Sequence, residues 1–258
     1  MCIRDRFGLD AVSGAVRWLE ESGTGLDAWG TTIPIVVGAI LFDLAIGDSS
    51  IRPGADCGYG AAGAATGGAV ESGSVGAGTG ATVGKLAGLG RAMKGGIGTA
   101  SIELPGGVVV GAIVAVNAVG DVVDPATGRV VAGVRSEDGT GFTDARKLIR
   151  TASGLVGGPG ENTTIGVVAT NATLTKAQAT KLAQMAHDGL ARAVYPAHTP
   201  WDGDTIFSLA TGQVEGEPDL IVLGAVAADA VAEAILDAVR SARGLEGIPS
   251  VSDVGGSR

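Results

Sequence analysis

Apolar residues recur at three- and four-residue spacing from Phe7 to Glu21, where Leu9, Val12, Val16 and Leu19 would share one face of a helix. From Ile33 to Ala45 that rhythm gives way to a dense run of β-branched and large apolar residues, which predicts a buried strand pair. Ala55 to Ser72 is Ala/Gly-rich and predicts a closely packed helix. Ser101–Leu104 and Val108–Val116 flank Pro105-Gly106-Gly107, the signature of a hairpin whose second arm is a central strand. A second turn, Asp124 to Gly128, separates Val122-Val123 from Val130-Val131. Arg135 to Glu161 has little periodicity, ends in Gly157-Gly158-Pro159-Gly160, and reads as a linker. Thr163 to Ala169 predicts a strand. Thr175 to Ala193 predicts a helix opened by a Thr175/Gln178 capping box, with Ala179, Leu182, Ala186 and Leu190 as its buried stripe. Thr205 to Thr211 follows as a strand and Asp219 to Ala242 as a last helix. Helices and strands that alternate without regular βαβ spacing predict a layered α/β fold.

Composition sharpens that picture. Glycine supplies 45 of 258 residues, while Phe, Trp and Tyr together supply nine; yet 45% of residues are hydrophobic. Such a chain can bury a core, so disorder is excluded, and the absence of a glycine triplet excludes collagen. Between Gly54 and Gly98 lie 16 of the glycines, and the stretch GSVGAGTGATVGK must be backbone-rich loop. A net charge of −9 would repel phosphate backbones, so no nucleic-acid partner is expected. Two cysteines, Cys2 and Cys57, make no disulfide scaffold and suggest a reducing cytoplasm. The longest apolar run, Ile33 to Phe42, is too short for a bilayer, so no membrane partner is expected. Residues 1–6, MCIRDR, read as an assembly scar on an N-terminally truncated chain, and residues 7–258 as a single domain.

Several familiar chemistries fail on the residues themselves. Gly58-Tyr59-Gly60-Ala61-Ala62-Gly63 fits GxGxxG, but no good strand precedes it and no ribose-binding acid follows, so close packing explains it better. Gly84-Lys85 resembles the end of a phosphate loop, but Thr79 stands where a glycine is required and Leu86 where magnesium needs a hydroxyl. His187 and His198 are the only histidines, without a cysteine cluster; zinc catalysis normally wants three protein ligands, so no zinc site is expected, and His187 reads as a surface residue. Neither histidine has a GxSxG serine to serve. A hydrolase built from these residues needs another base. An N-terminal amine, with an intrinsic pKa of about 8, can act as one for its own Thr hydroxyl.

That amine must be created by a cut before a Thr, Ser or Cys. Gly157-Gly158-Pro159-Gly160-Glu161-Asn162-Thr163-Thr164-Ile165 places a flexible loop directly before a β-branched strand opening on Thr. Glycines permit the strained backbone that peptide self-attack requires, although an ordinary loop entering a strand has the same sequence.

The segment GENTTIGVVATNATLTKAQATKLAQMAHDGLARAVYPAHTPWDGDTIFSLAT resembles the C-terminal portion of the L-aminopeptidase/D-esterase family of self-processing N-terminal-nucleophile hydrolases, which includes β-peptidyl aminopeptidases and nylon-oligomer hydrolases. The likeness extends back through VVVGAIVAVNAVGDVVDP and GSVGAGTGATVGK to FGLDA at Phe7–Ala11. It implies an αββα sandwich of the aminopeptidase/ornithine-acetyltransferase type, no cofactor, and a homo-oligomer of processed αβ units. It also implies a cut at Asn162–Thr163, giving 7–162 and 163–258, with Thr163 as nucleophile and Thr164 as the competing assignment. Asn-Thr at the junction is most similar to the nylon-oligomer branch; the implied substrates are short peptides or linear oligoamides.

The same resemblance gives Asn117 the place of an amide donor to the oxyanion and Lys85 that of a lysine beside the nucleophile, where it would lower the amine's pKa or donate to the substrate carbonyl. Without it, Asn117 reads as a strand-end residue and Lys85 as a solvated loop lysine. Asp202 and Asp204 flank Gly203 and would turn to one point, holding the Thr163 ammonium and hydroxyl; an Asp-Gly-Asp calcium loop lacks its further oxygen ligands. Phe42 departs from the pattern, standing where some relatives carry a tyrosine. Acyl transfer of the ornithine acetyltransferase kind, or an unprocessed inactive scaffold, are the rival readings.

Overall fold

The structure is a computed structural model describing residues 7–151, 155–157, 162–216, 218–245 and 247–255; residues 1–6, and residues 158–161 of the proposed hinge, lie outside them. In chain order the elements are α1 (Asp10–Glu21), β1 (Leu26–Ala28), β2 (Thr31–Ile33), α2 (Ala55–Ala64), β3 (Thr82–Val83), β4 (Met93–Lys94), β5 (Gly96–Leu104), β6 (Val108–Asn117), β7 (Asp121–Val123), β8 (Val130–Ala132), α3 (Ala145–Thr151), β9 (Thr163–Ala172), α4 (Lys176–Ala193), β10 (Val194–Tyr195), β11 (Thr205–Val214), α5 (Leu220–Ser241) and α6 (Val251–Gly255). It is a mixed α/β architecture.

Its centre is a four-stranded sheet in the order β11-β9-β6-β5. The hairpin β5–β6 is in register from Leu104↔Val108 to Gly96↔Val116, and β6 pairs antiparallel with β9 down to Asn117↔Thr163. β11 runs parallel to β9, which requires a crossover, and α4 supplies it. Period-2 alternation sends Val110, Ala112 and Val114 of β6 into the core that holds Leu182, Ala186 and Leu190 of α4 and Ala227, Val231, Ala234 and Ile235 of α5. The scarcity of aromatics follows from how closely these layers approach. A Cβ on Gly98 of β5 would stand 2.1 Å from the Ala234 carbonyl oxygen, so α5 rests on the sheet with its backbone. Ala and Gly fill that gap; a larger residue would not enter it.

The capping box appears as expected, with Gln178 N–H donating to Thr175 Oγ1 and Thr175 N–H to Gln178 Oε1. Three expectations are corrected. Ile33–Ala45 is no buried strand pair: only Thr31–Ile33 pairs, with β1, and Ile35 and Val37 are 74% and 66% exposed. Pro34 offers no N–H to a ladder, and Gly38 lies so near α1 that a Cβ would meet Val12 Cγ2 at 2.4 Å. The helix opening at Ala55 stops at Ala64 instead of Ser72. The supposed linker Arg135–Glu161 contains α3, whose Ala145 N–H donates to the buried Asp121 carboxylate at 2.7 Å. The GxGxxG match lies inside α2, with Gly58 packed on the Ala11 carbonyl. Among the described residues, no helix is long and apolar enough to cross a membrane.

Candidate active site

Where β6 and β9 end together, the ladder brings Asn117 opposite Thr163. Asn162, Thr163, Thr164 and Asn117 are all buried there, at 3%, 8%, 0% and 0% exposure. The Thr163 hydroxyl donates to the Asn162 carbonyl oxygen at 2.6 Å, and the Gly203 N–H donates to that same oxygen at 2.8 Å. Asn162 pairs with Asp202 as an isolated parallel bridge, which draws the 202–204 loop against the start of β9. Glycine is required at the contact: a Cβ on Gly203 would stand 3.0 Å from Thr163 Oγ1. The Asn162–Thr163 peptide thus carries a hydroxyl on one side of its carbonyl oxygen and a main-chain donor on the other. Two buried oxygens nearby, Asn162 Oδ1 and Thr164 Oγ1, have no hydrogen-bond partner among the described residues.

Asn117 is held by four contacts. Its Oδ1 accepts from Lys85 Nζ at 2.8 Å, Thr82 N–H at 3.0 Å and Thr82 Oγ1 at 3.3 Å, while its Nδ2 donates to the Phe42 carbonyl at 3.0 Å. Donors on one side and an acceptor on the other fix which way the amide points. Lys85 Nζ also reaches the Asn117 carbonyl at 3.1 Å. Lys85 is not a solvated loop lysine; it is 8% exposed, because its own N–H and that of Gly84 bond the carbonyls of Val119 and Gly120 and draw the loop inward. A cavity of about 320 Å³ opens beside it, lined by Phe42, Asp43, Thr82, Lys85, Val119 and Asn162 among others.

The two aspartates are arranged differently from the expectation. Neither hydrogen-bonds the Thr163 hydroxyl; each gathers main-chain amides instead. Asp202 Oδ1 accepts from Val119 N–H, and its Oδ2 from Thr199 N–H and, at 2.6 Å, Thr199 Oγ1. Asp204 Oδ1 accepts from Thr164 N–H at 2.9 Å, its Oδ2 accepts from the main-chain N–H of His198 at 3.1 Å, and the His198 Nδ1 stands at ion-pair distance, also 3.1 Å, from that oxygen. The physical reason is the strand bridge: it sets Asp202 over the amides of Val119 and Thr199 and Asp204 over that of Thr164, and brings Gly203 against Thr163. Burial, and then the neighbouring charge of Asp204, hold Asp202 above the usual carboxylate range. The Asp204 carboxylate raises His198, while burial, and then His198, lower His187, whose ring lies 4.9 Å away.

A family model described as peptidase family S58 matches residues 5–251, nearly the whole chain. The chain belongs to peptidase family S58. It is 44% identical to an uncharacterized aminopeptidase of Mycobacterium leprae (strain TN), over 95% of this chain and 71% of that protein. It is 30% identical to the 6-aminohexanoate-oligomer endohydrolase of Paenarthrobacter ureafaciens, over 90% of this chain and 68% of that enzyme. Among solved structures, the L-aminopeptidase D-Ala-esterase/amidase of Ochrobactrum anthropi, described as a variant of the Ntn hydrolase fold, aligns at TM-score 0.67 and 24% identity, over 94% of this chain and 65% of that one. The chain therefore spans just under two thirds of that structure's length.

Within this S58 member, Thr163, Asn117 and Lys85 converge through one strand register and one buried hydrogen bond. The sequence reading overlooked the Gly203 N–H, which no side-chain pattern reveals, and His198. The signal for His198 was available: one of two histidines stands four residues before Asp202 and six before Asp204.

Proposed function

We propose that this S58 member is an amidohydrolase that matures by cutting its own Asn162–Thr163 bond and then uses Thr163 as an N-terminal nucleophile. The observation that carries the reading is the double engagement of the Asn162 carbonyl oxygen by Thr163 Oγ1 and by the Gly203 N–H. A nucleophile beside a carbonyl, with a preorganised donor on its oxygen, is what acyl transfer needs. Thr164, fully buried, directs its N–H to Asp204 and is the poorer candidate.

In the first stage Thr163 Oγ1 bonds to the Asn162 carbonyl carbon, the C–N bond breaks, and the hydroxyl proton ends on the departing Thr163 nitrogen. The ester formed takes up water, which leaves a carboxyl on Asn162 and restores the hydroxyl. In the second stage the new α-amine accepts that hydroxyl's proton as Thr163 attacks a substrate amide. The substrate C–N bond then breaks as the α-ammonium passes that proton to the departing amine, and the acyl-enzyme so formed is hydrolysed by water, which restores the hydroxyl. Asn117 Nδ2 is engaged by the Phe42 carbonyl and Lys85 by Asn117, so in this reading the two line the site across the ladder from Thr163, while Asp204 holds the Thr164 N–H and Asp202 the loop beside it. The substrates are short peptides or linear oligoamides, taken into the cavity beside Lys85, and an αββα layering with assembly into oligomers of cut units belongs to the same reading.

Intact mass and N-terminal sequencing test it. Purified protein is expected to yield a fragment beginning at Thr163, and Thr163→Ala to remain one chain without turnover. A variant still cut between residues 162 and 163, or a fragment beginning at Thr164, would overturn the assignment.

A further inference from the structure

One group beside the site has no place in that mechanism. His198 meets a single carboxylate oxygen twice: its main-chain N–H donates to Asp204 Oδ2 and its Nδ1 stands at ion-pair distance from it, each at 3.1 Å. The Asp204 side chain is 4% exposed, and its other oxygen receives the N–H of Thr164, the residue after the proposed nucleophile. The imidazole is therefore one carboxylate away from the peptide that aims Thr163. The ring of His187 lies 4.9 Å away, and a carboxylate 3.1 Å from Nδ1 favours the protonated imidazole.

We propose that His198, in its protonated form, is a positioning residue for Thr163, acting through Asp204 and the Thr164 N–H. This rests on the reading of Thr163 as nucleophile and adds a control of it by pH. The groups facing the ring support the charge. Asp204 and Asp202 approach from its own loop and bring negative charge, while His187 approaches from α4. His187 is half-buried and resists protonation, so it adds little opposing charge. His198 remains 38% exposed in its side chain, so solvent protons reach it. The main-chain N–H and the positive charge of the ring hold Asp204. Loss of the proton as pH rises removes that charge, and the carboxylate is then free to turn away from Thr164 N–H. Since the pair raises the histidine above its ordinary value, the loss falls on the alkaline side of neutral histidine titration.

The experiment follows self-cleavage by intact mass across pH, in the full chain, for wild type, His198→Gln and His198→Phe, with thermal unfolding of each recorded alongside. Wild type is expected to slow about tenfold per pH unit above the titration point, as loss of one required proton demands. Gln keeps a neutral donor and cannot titrate. His198→Gln should therefore be slower than wild type at neutral pH but should lack the alkaline limb, while His198→Phe should be slower still. An alkaline limb persisting unchanged in His198→Gln overturns the proposal while leaving Thr163 as nucleophile. Wild type that never cuts, or Thr163→Ala that does, overturns the nucleophile instead. A second readout needs no activity. In Thr163→Ala, NMR titration of the only two histidines should place His198 above the ordinary histidine value, and Asp204→Asn should bring it down. His198 titrating at or below that value in Thr163→Ala also overturns the proposal.

Discussion

The glycine segment carries two buried ammonium groups, nine residues apart, at opposite ends of its path. Lys94 is fully buried, and its Nζ donates to main-chain carbonyls at Thr79 (2.6 Å), Ala81 (2.8 Å) and Gly78 (3.4 Å). Lys85 directs its Nζ to the Asn117 side chain and carbonyl and borders the cavity. At the first end the charge organises backbone: it gathers the Thr79 carbonyl together with those of Ala81 and Gly78, which also accept the N–H groups of Gly95 and Ala81. At the second end the charge organises a side chain that stands across the ladder from Thr163. What a buried lysine bonds, rather than how deeply it lies, separates scaffold from chemistry here. Burial pushes Lys94 down to about 8, with Asp43 opposing the shift.

Replacing each lysine by methionine, which keeps the stem and deletes the donor, should break the comparison if it is wrong. Lys94→Met deletes the donor to the Thr79 carbonyl, whereas the carbonyls of Ala81 and Gly78 keep the N–H groups of Gly95 and Ala81, so denaturant unfolding should show a loss of about 2–3 kcal/mol, the range of a hydrogen bond from a charged group. Cleavage at Asn162 should fall only as far as folding fails. Lys85→Met should do the reverse: Asn117 Oδ1 keeps the Thr82 N–H, so stability should change by about 1 kcal/mol, while self-cleavage and turnover fall about 100-fold or more. Equal stability losses in the two variants would mean that both ends are scaffold.

Titration sharpens the same contrast. The folded-state pKa of Lys94 is lowered from 10.5 to about 8, so between those values the folded chain binds fewer protons than the unfolded one. Its contribution to stability is present above about 10.5 and is lost as pH falls through about 8. Wild type should therefore gain stability relative to Lys94→Met as pH rises from 8 to 10, with a difference in slope no steeper than about 1.4 kcal/mol per pH unit. A constant difference between the two proteins across that range would show that Lys94 stays charged in the fold.

How much of this was legible in the chain depended on what held each part. The β5–β6 hairpin, β9, α4 and α5 carry local periodicity and caps, and a turn at Pro105-Gly106-Gly107 sets the register that brings Asn117 opposite Thr163. The motif resemblance pointed at Lys85, Asn117, Thr163, Asp202 and Asp204, and these residues do cluster around one peptide. Lys94 went unnoticed because its partners are backbone carbonyls, which no residue type marks. Ile33–Ala45 misled because apolar content alone does not supply a partner strand. For the two aspartates, position was readable but direction was not. Whether a carboxylate meets a hydroxyl or an amide depends on the Asn162↔Asp202 bridge, a contact between residues forty positions apart.

The smallest effect should come from Thr82, and it tests how the functional end divides between backbone and side chain. Thr82 offers Asn117 Oδ1 two donors, its N–H at 3.0 Å and its hydroxyl at 3.3 Å. The hydroxyl contact is long for O–H···O, whereas the N–H contact is near its optimum. Lys85 Nζ, at 2.8 Å, adds a charged donor to the same oxygen. Thr82→Val removes only the longest of the three while keeping volume and branching. Asn117 should stay in place, with stability changed by less than about 1 kcal/mol and the cleavage rate by less than about threefold. A drop as large as that of Lys85→Met would mean that the hydroxyl, rather than the Thr82 backbone, orients Asn117. The functional end would then depend on side chains throughout, and its contrast with the carbonyl-bound Lys94 would be sharper still.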